Sequence, residues 1–225
     1  MDSHRVGAGR NELPQHYSQY GQDALIGDVL FLGRTGVFVD VGARDGLVIS
    51  NTKYLEERGW TGIAIEPHPD LFRALRESRK CECLNIGVSS EVSSGVEFVK
   101  FLEEPLGNSG LYSTFRDRVR LDRIKHEIIQ IACVPLRDVL TDTPLVHYLD
   151  IDVEGHELEV LKGIDFGRTQ FRIIGVEVDP HTHKQLEIDF FLSSRGFHPF
   201  LQLGSDRFYN FGREIPSASL LKSLP

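Results

Sequence analysis

The sequence predicts an α/β fold: a three-layer sandwich around a mainly parallel, doubly wound sheet. Three observations carry that prediction. Short β-branched runs alternate with helical patterns along most of the chain, a glycine-bounded turn follows the first such run, and the chain closes in a hairpin pattern. A chain of 225 residues buries a sizeable core without disulfide or metal staples. We read residues 1–16 as a flexible N-terminal arm, 17–215 as a single domain and 216–225 as a C-terminal tail.

The elements follow in order. Leu25, Ile26, Val29 and Leu30 fall at helical spacing, so a helix over 24–32 leads into the core. Val37 to Val41, between Gly36 and Gly42, is a β-branched run of the kind that is buried on both faces. After a glycine turn, Ser50 caps a helix running to about Arg58. The alternation repeats with a strand at 62–65, a helix at 70–78 capped by Asp70, and a strand at 83–86. Residues 92–102 alternate and suit an extra strand or hairpin, and 128–134 reads as another. Pro135 opens a short helix to Leu140. Leu145 to Ile151 is a buried strand, 157–162 a helix, 171–178 a strand, and 184–195 an amphipathic helix ended by Gly196. Residues 197–203 and 207–211, joined by Gly204-Ser205-Asp206, form a terminal antiparallel hairpin.

Composition excludes several classes. The chain carries 33 acids against 25 bases, a net charge of −8, which disfavours nucleic acid or an anionic membrane as a whole-surface partner. No apolar run approaches the roughly 20 residues that span a bilayer, and the first residues lack a secretory apolar stretch. The 3 cysteines give no disulfide framework, and Cys81-Glu82-Cys83 is one residue short of a zinc pair. A cytoplasmic location is expected.

In an open α/β sheet, ligands bind beyond the carboxyl ends of the strands, where strand order reverses. The first such end reads Asp40-Val41-Gly42-Ala43-Arg44-Asp45-Gly46, where Gly42 and Gly46 let a ligand approach the backbone. The second reads Ile65-Glu66-Pro67, and Glu66, 26 residues after Asp40, can accept both hydroxyls of a ribose. This pairing occurs in nicotinamide dinucleotide and S-adenosylmethionine sites alike. A pyrophosphate cradle wants G-x-G-x-x-G opening into a helix. Here the spacing is G-x-x-x-G and Asp40 and Asp45 crowd the turn, which suits a ligand carrying an ammonium and a sulfonium.

The chain resembles the FkbM family of S-adenosylmethionine-dependent methyltransferases. The likeness rests on Tyr17-Ser18-Gln19 with Gln22-Asp23, on Phe38 through Gly46, on Ser50-Asn51-Thr52, Gly59-Trp60 and Ile65-Glu66-Pro67, and on Leu149 through Glu157 with Leu161-Lys162-Gly163. It implies a class I (Rossmann-like) methyltransferase fold, a seven-stranded sheet whose last strand is antiparallel, and O-methylation of a sugar hydroxyl on a small molecule or oligosaccharide. Asp150 stands where many relatives carry Lys or Ser. Carried over residue by residue, the likeness places Asp40, Gly42, Asp45, Gly46 and Asn51 at the methionine end, Glu66 at the ribose, and Asn85-Ile86-Gly87-Val88 along the adenine. Gln19 and Gln22 are candidates to close over the cofactor, with a solvated loop as the equal alternative.

Methyl transfer to oxygen is an in-line displacement, and a sugar hydroxyl is a weak acid that needs help in losing its proton. The segment from Asp150 to Glu157 is the place for that help: His156 as general base, with Asp152 and Glu154 beside it. Asp152, Glu177 and Asp179 form a candidate Mg²⁺ site, since hard oxygen ligands at adjacent strand ends suit that ion. His181 and His183 are the next candidate bases. Residues 103–115 and the basic stretch 116–125 are candidate acceptor-selecting lids, and the apolar tail Leu220-Leu221-Lys222-Ser223-Leu224 is a candidate homodimer contact, as is the N-terminal arm. The competing readings are an NAD-dependent oxidoreductase and a non-catalytic nucleotide-binding scaffold.

Overall fold

The computed structural model describes residues 15–103, 108–115, 121–178 and 183–212. Most of the N-terminal arm, the C-terminal tail, Asp179, His181 and parts of both candidate lids lie outside the described residues.

Seven strands form the central sheet: β1 (Val37–Val41), β2 (Thr61–Ile65), β3 (Glu82–Leu84), β8 (Leu145–Ile151), β9 (Gln170–Glu177), β10 (Phe197–Leu203) and β11 (Asp206–Phe211). Their order is β10-β11-β9-β8-β1-β2-β3. β1 pairs in parallel with β2 and β8, and β8 with β9. Only the last strand runs against its neighbours: β11 inserts between β9 and β10 and is antiparallel to both. The hairpin read from the sequence is present, with the two-residue turn Gly204-Ser205.

Alternation along the strands divides the core in two. Val39, Val41, Leu149, Ile151, Ile174 and Val176 pack on one face with Leu136, Val160, Leu161, Ile188 and Leu192. These come from α5 (Leu136–Val139), α6 (Glu157–Lys162) and α7 (His183–Ser193). Phe38, Tyr148, Ile173 and Phe208 face the other way, onto Leu25, Ile26, Tyr54 and Leu55. Helices on both faces explain why the central strands read as continuous apolar runs.

Three local features differ from the sequence reading. The first helix is a single α-turn, α1 (Gln22–Ala24), that widens into a π-helical stretch over Leu25–Leu30, with Phe31 N–H donating to the Ile26 carbonyl at 3.1 Å. Helix α3 (Pro69–Ser78) is capped by the buried His68, not by Asp70: the His68 Nδ1 accepts from the N–H groups of Asp70 and Leu71, and Pro69 occupies the first turn. Helix α7 is not cleanly amphipathic, because Leu186 and Phe190 face outward while Ile188 and Leu192 are buried.

The segment between β3 and β8 folds into a second sheet. Strands β4 (Gly87–Val88), β5 (Ser93–Phe101), β6 (Gly110–Leu111) and β7 (His126–Val134) lie in the order β4-β7-β5-β6. The runs at 92–102 and 128–134 are therefore partners of each other, paired antiparallel.

Candidate active site

The chain builds outward from β1 through β2 to β3, then returns to lay β8 on the other side of β1, so strand order reverses between β1 and β8. That switch point is where an α/β sheet offers a ligand crevice. Two clefts open there and share Gly42, Arg44 and Asp152. The larger is walled by Val41, Ile65, Ile86, Val88, Phe98, Leu111 and Ile131, with Glu66 and His156 among its polar residues. The smaller is walled by Asp40, Asp150, Asn51, Val48 and Ile49.

Glu66 is held at the end of β2 by the backbone of its own neighbourhood. Its Oε2 accepts the Arg44 N–H at 2.9 Å and its Oε1 the His68 N–H at 2.7 Å, while Asn85 Nδ2 ties down the Glu66 carbonyl at 2.8 Å. Each carboxylate oxygen keeps a further lone pair for a ligand hydroxyl. Burial pushes the carboxyl up to about 7, against the backbone donors that pull it down.

The smaller cleft concentrates negative charge. Asp40 and Asp150 are register partners on β1 and β8, so their side chains share one face of the sheet. Asp40 accepts from the Thr52 hydroxyl, and the Arg79 guanidinium stands 3.8 Å away. Asp150 accepts from Tyr148 Oη at 2.6 Å and from Asn51 Nδ2 at 3.0 Å. Burial, then the charges of Asp40 and Asp206, pushes Asp150 well above the ordinary carboxylate range. Asp152 is raised likewise, by desolvation and then by Glu177. Asp206 rises to about 6, chiefly through burial. Crowded carboxylates of this kind bind protons or a cation. Beside them, the buried Asn51 Oδ1 has no hydrogen-bond partner, an acceptor suited to an ammonium donor.

Asp152, Glu154 and Glu177 bring one carboxylate oxygen each within 4.8 Å of one another. Glu154 thus joins Asp152 and Glu177, and Asp179, the third residue of the metal set expected from sequence, is outside the described residues. His156 lines the apolar cleft at the start of α6, its Nε2 3.0 Å from Ser89 Oγ, and burial lowers its pKa, keeping the ring neutral.

Of the four non-glycine residues with positive φ among the described residues, three line these clefts: Arg44 at 53°, Ile49 at 53° and Glu154 at 55°. Such backbone, costly above all for a β-branched residue, marks segments whose geometry the fold over-determines.

The glycines serve the fold more than a ligand. A Cβ on Gly42 would lie 1.8 Å from the Asp152 carbonyl oxygen, so Gly42 makes room for the loop after β8. A Cβ on Gly46 would meet Leu75, Ser78 and Arg79 of the α3 end, and Gly46 lines neither cleft. Asp45 is likewise outside both, its Oδ1 accepting the N–H groups of Leu47 and Val48 at 2.9 Å each. Gln22 is buried against Asp206 Oδ2, Gln19 is exposed, and neither lines a cleft. Ile86 and Gly87 do line the larger cleft, and a Cβ on Gly87 would come 2.6 Å from Cys133 Sγ. His183 is exposed at the head of α7. Ser109 and Leu111, within the candidate lid 103–115, line the larger cleft, while Phe98, Ile131 and Cys133 of the second sheet line it without having been singled out from the sequence. Their apolar alternation was visible; that the alternating face covers the cleft was not.

No curated protein matches the chain. The family model for the methyltransferase FkbM domain matches residues 40–199, a span that runs from Asp40 in β1 to Pro199 in β10 and includes both clefts. The chain therefore belongs to the FkbM methyltransferase family.

Proposed function

We propose that the protein is an S-adenosylmethionine-dependent O-methyltransferase of the class I type that methylates a carbohydrate hydroxyl. The strand order, with one antiparallel strand placed next to last, supports the class I reading. The observation that carries the proposal is the joining of two unlike clefts at Gly42, Arg44 and Asp152: an apolar slot flanked by a buried carboxylate, and a carboxylate-lined pocket with a partnerless amide oxygen. The first suits an adenosyl group with its ribose on Glu66. The second suits a sulfonium and an ammonium, the latter on Asn51 Oδ1.

Bound S-adenosylmethionine supplies an activated methyl group whose leaving group is a neutral thioether. The residues of the chain then have two tasks. Rigid placement of the acceptor oxygen in line with the methyl can supply on the order of 7 to 11 kcal/mol. As the new carbon–oxygen bond forms, the hydroxyl proton passes to a base, worth roughly 10²- to 10⁴-fold. We place that base at Asp152, because it lines both clefts and sits where they meet. His156, already engaged by Ser89, is the second candidate. The Asp152, Glu154 and Glu177 group is equally a set of hard ligands for Mg²⁺, and a requirement for that ion would reassign Asp152 from base to ligand.

Incubation with isotopically labelled S-adenosylmethionine and a panel of free and partly methylated glycans, read by mass, tests the proposal. A methyl-mass increment on a sugar is the expected result. Transfer to a nitrogen, or to a non-carbohydrate acceptor only, overturns the carbohydrate reading.

A further inference from the structure

Leu47, Val48 and Ile49 are three consecutive aliphatic residues left 42 %, 56 % and 38 % exposed. Isolated exposed aliphatics are unremarkable in a folded protein, but a contiguous triplet at the mouth of a cleft is a recognised mark of a binding surface. This triplet is also braced. Asp45 Oδ1 accepts the N–H groups of Leu47 and Val48, the Ser78 hydroxyl donates to the Asp45 carbonyl at 2.7 Å, and Gly46 is wedged against the end of α3. Ile49 is held at a φ of 53°, which its branched side chain resists. The fold thus fixes the loop with its apolar side chains in water. Val48 and Ile49 line the smaller cleft together with Asp150 and Asp152.

We propose that the Leu47–Ile49 loop binds an apolar portion of the acceptor, the aglycone or acyl chain next to the hydroxyl that is methylated. The inference rests on the methyltransferase reading above and narrows its substrate class to amphipathic glycosides. The loop borders the cleft given to the sulfonium, since Val48 and Ile49 line it, so an acceptor that meets the methyl group there has these aliphatic side chains beside it. A sugar alone gives aliphatic side chains little to bury, whereas an alkyl chain laid across them removes apolar surface from water on both sides.

The test uses the full chain and two probes, methyl β-D-glucopyranoside and hexyl β-D-glucopyranoside, titrated into protein saturated with S-adenosylhomocysteine and followed by saturation-transfer NMR. Hexyl glucoside is expected to bind about tenfold more tightly than methyl glucoside, with saturation on its chain protons. The variant Leu47→Asn, at the residue of the triplet that lines neither cleft, should lose that preference and keep its S-adenosylhomocysteine affinity within about twofold. Absence of saturation on the hexyl protons at millimolar concentration overturns the proposal, as does a variant that keeps the hexyl preference. A variant that loses S-adenosylhomocysteine affinity instead assigns the loop to the donor, and wild-type protein that dimerises through the loop, with a monomeric variant, assigns it to a second copy. Titration of S-adenosylhomocysteine alone comes first: its failure to bind removes the parent reading, while binding without a hexyl preference removes only this one.

Discussion

The carbonyl oxygen of Asp152 occupies the space where a side chain on Gly42 would begin, 1.8 Å from the position of its Cβ. This contact locks the end of β1 to the loop after β8, and the two clefts share both residues. Gly42 also has a φ of 95°, outside the range that other residues adopt without strain. Gly42→Ala is therefore expected to cost more than about 3 kcal/mol of stability, because the obstacle is backbone and has no rotamer to escape into. Urea denaturation measures this; a variant as stable as the parent contradicts the packing described here.

Glu66 makes stability depend on pH in a defined direction. Its folded-state carboxyl is raised from the ordinary 4.5 to about 7, so between those values the native state holds more protons than the unfolded chain, and stability falls as pH rises through that window. The contribution is roughly 3 kcal/mol at most. Glu66→Gln should flatten the slope between pH 5 and pH 8 whatever it does to absolute stability, since both backbone donors lose the charged acceptor. Parallel slopes for the two proteins contradict the assignment.

The same carboxyl should govern ligand affinity with the opposite sense. Ribose hydroxyls donate to the ionised form, so S-adenosylhomocysteine should bind more weakly as pH falls below about 7, with proton release on binding there. Calorimetry in buffers of different ionisation enthalpy measures both.

Asn51 links the acid pocket to its ligand through one atom. Its amide nitrogen is spent on Asp150, and its Oδ1 is buried with no partner. Asn51→Ala should lower S-adenosylhomocysteine affinity by about tenfold, the size of a lost hydrogen bond to a charged group, and cost roughly 1 to 3 kcal/mol of stability through the donor removed from Asp150. Unchanged affinity removes Asn51 from the site.

Asp152 and His156 are separable by rate. Asp152→Asn should lower turnover by at least about 10²-fold, and His156→Ala by less than about tenfold. The reverse ranking returns the base to His156. Assays in excess EDTA, repeated with added Mg²⁺, tell base from metal ligand: activity abolished by chelation and restored by Mg²⁺ assigns Asp152 to the ion.

Much of this was legible in the sequence, where one local rule sufficed. The runs Val37–Val41 and Leu145–Ile151 are apolar on both faces because helices cover both, and they were read as buried strands for that reason. The position of Glu66, just after β2 and beside the end of β1, is legible because adjacent parallel strands bring their ends together. What escaped depended on contacts between distant segments. The alternation at Val96, Phe98 and Ile131 shows a strand but not that its apolar face roofs a cleft. Gly46 reads like a residue for close ligand approach, and only the position of α3 reveals that it makes room for Leu75 and Arg79. The cap of α3 falls on His68 and not on the expected Asp70, and Pro69, a residue of the first helical turn, is the signal for it.

The nature of the ligand at the β1–β8 switch point decides the function. Calorimetric titration of the protein at pH 7.5 with S-adenosylhomocysteine, and separately with NAD⁺, measures it directly. One-site binding of S-adenosylhomocysteine, with no heat from the dinucleotide at the same concentrations, is the predicted result; preferential binding of NAD⁺, competed by neither S-adenosylhomocysteine nor S-adenosylmethionine, would contradict it.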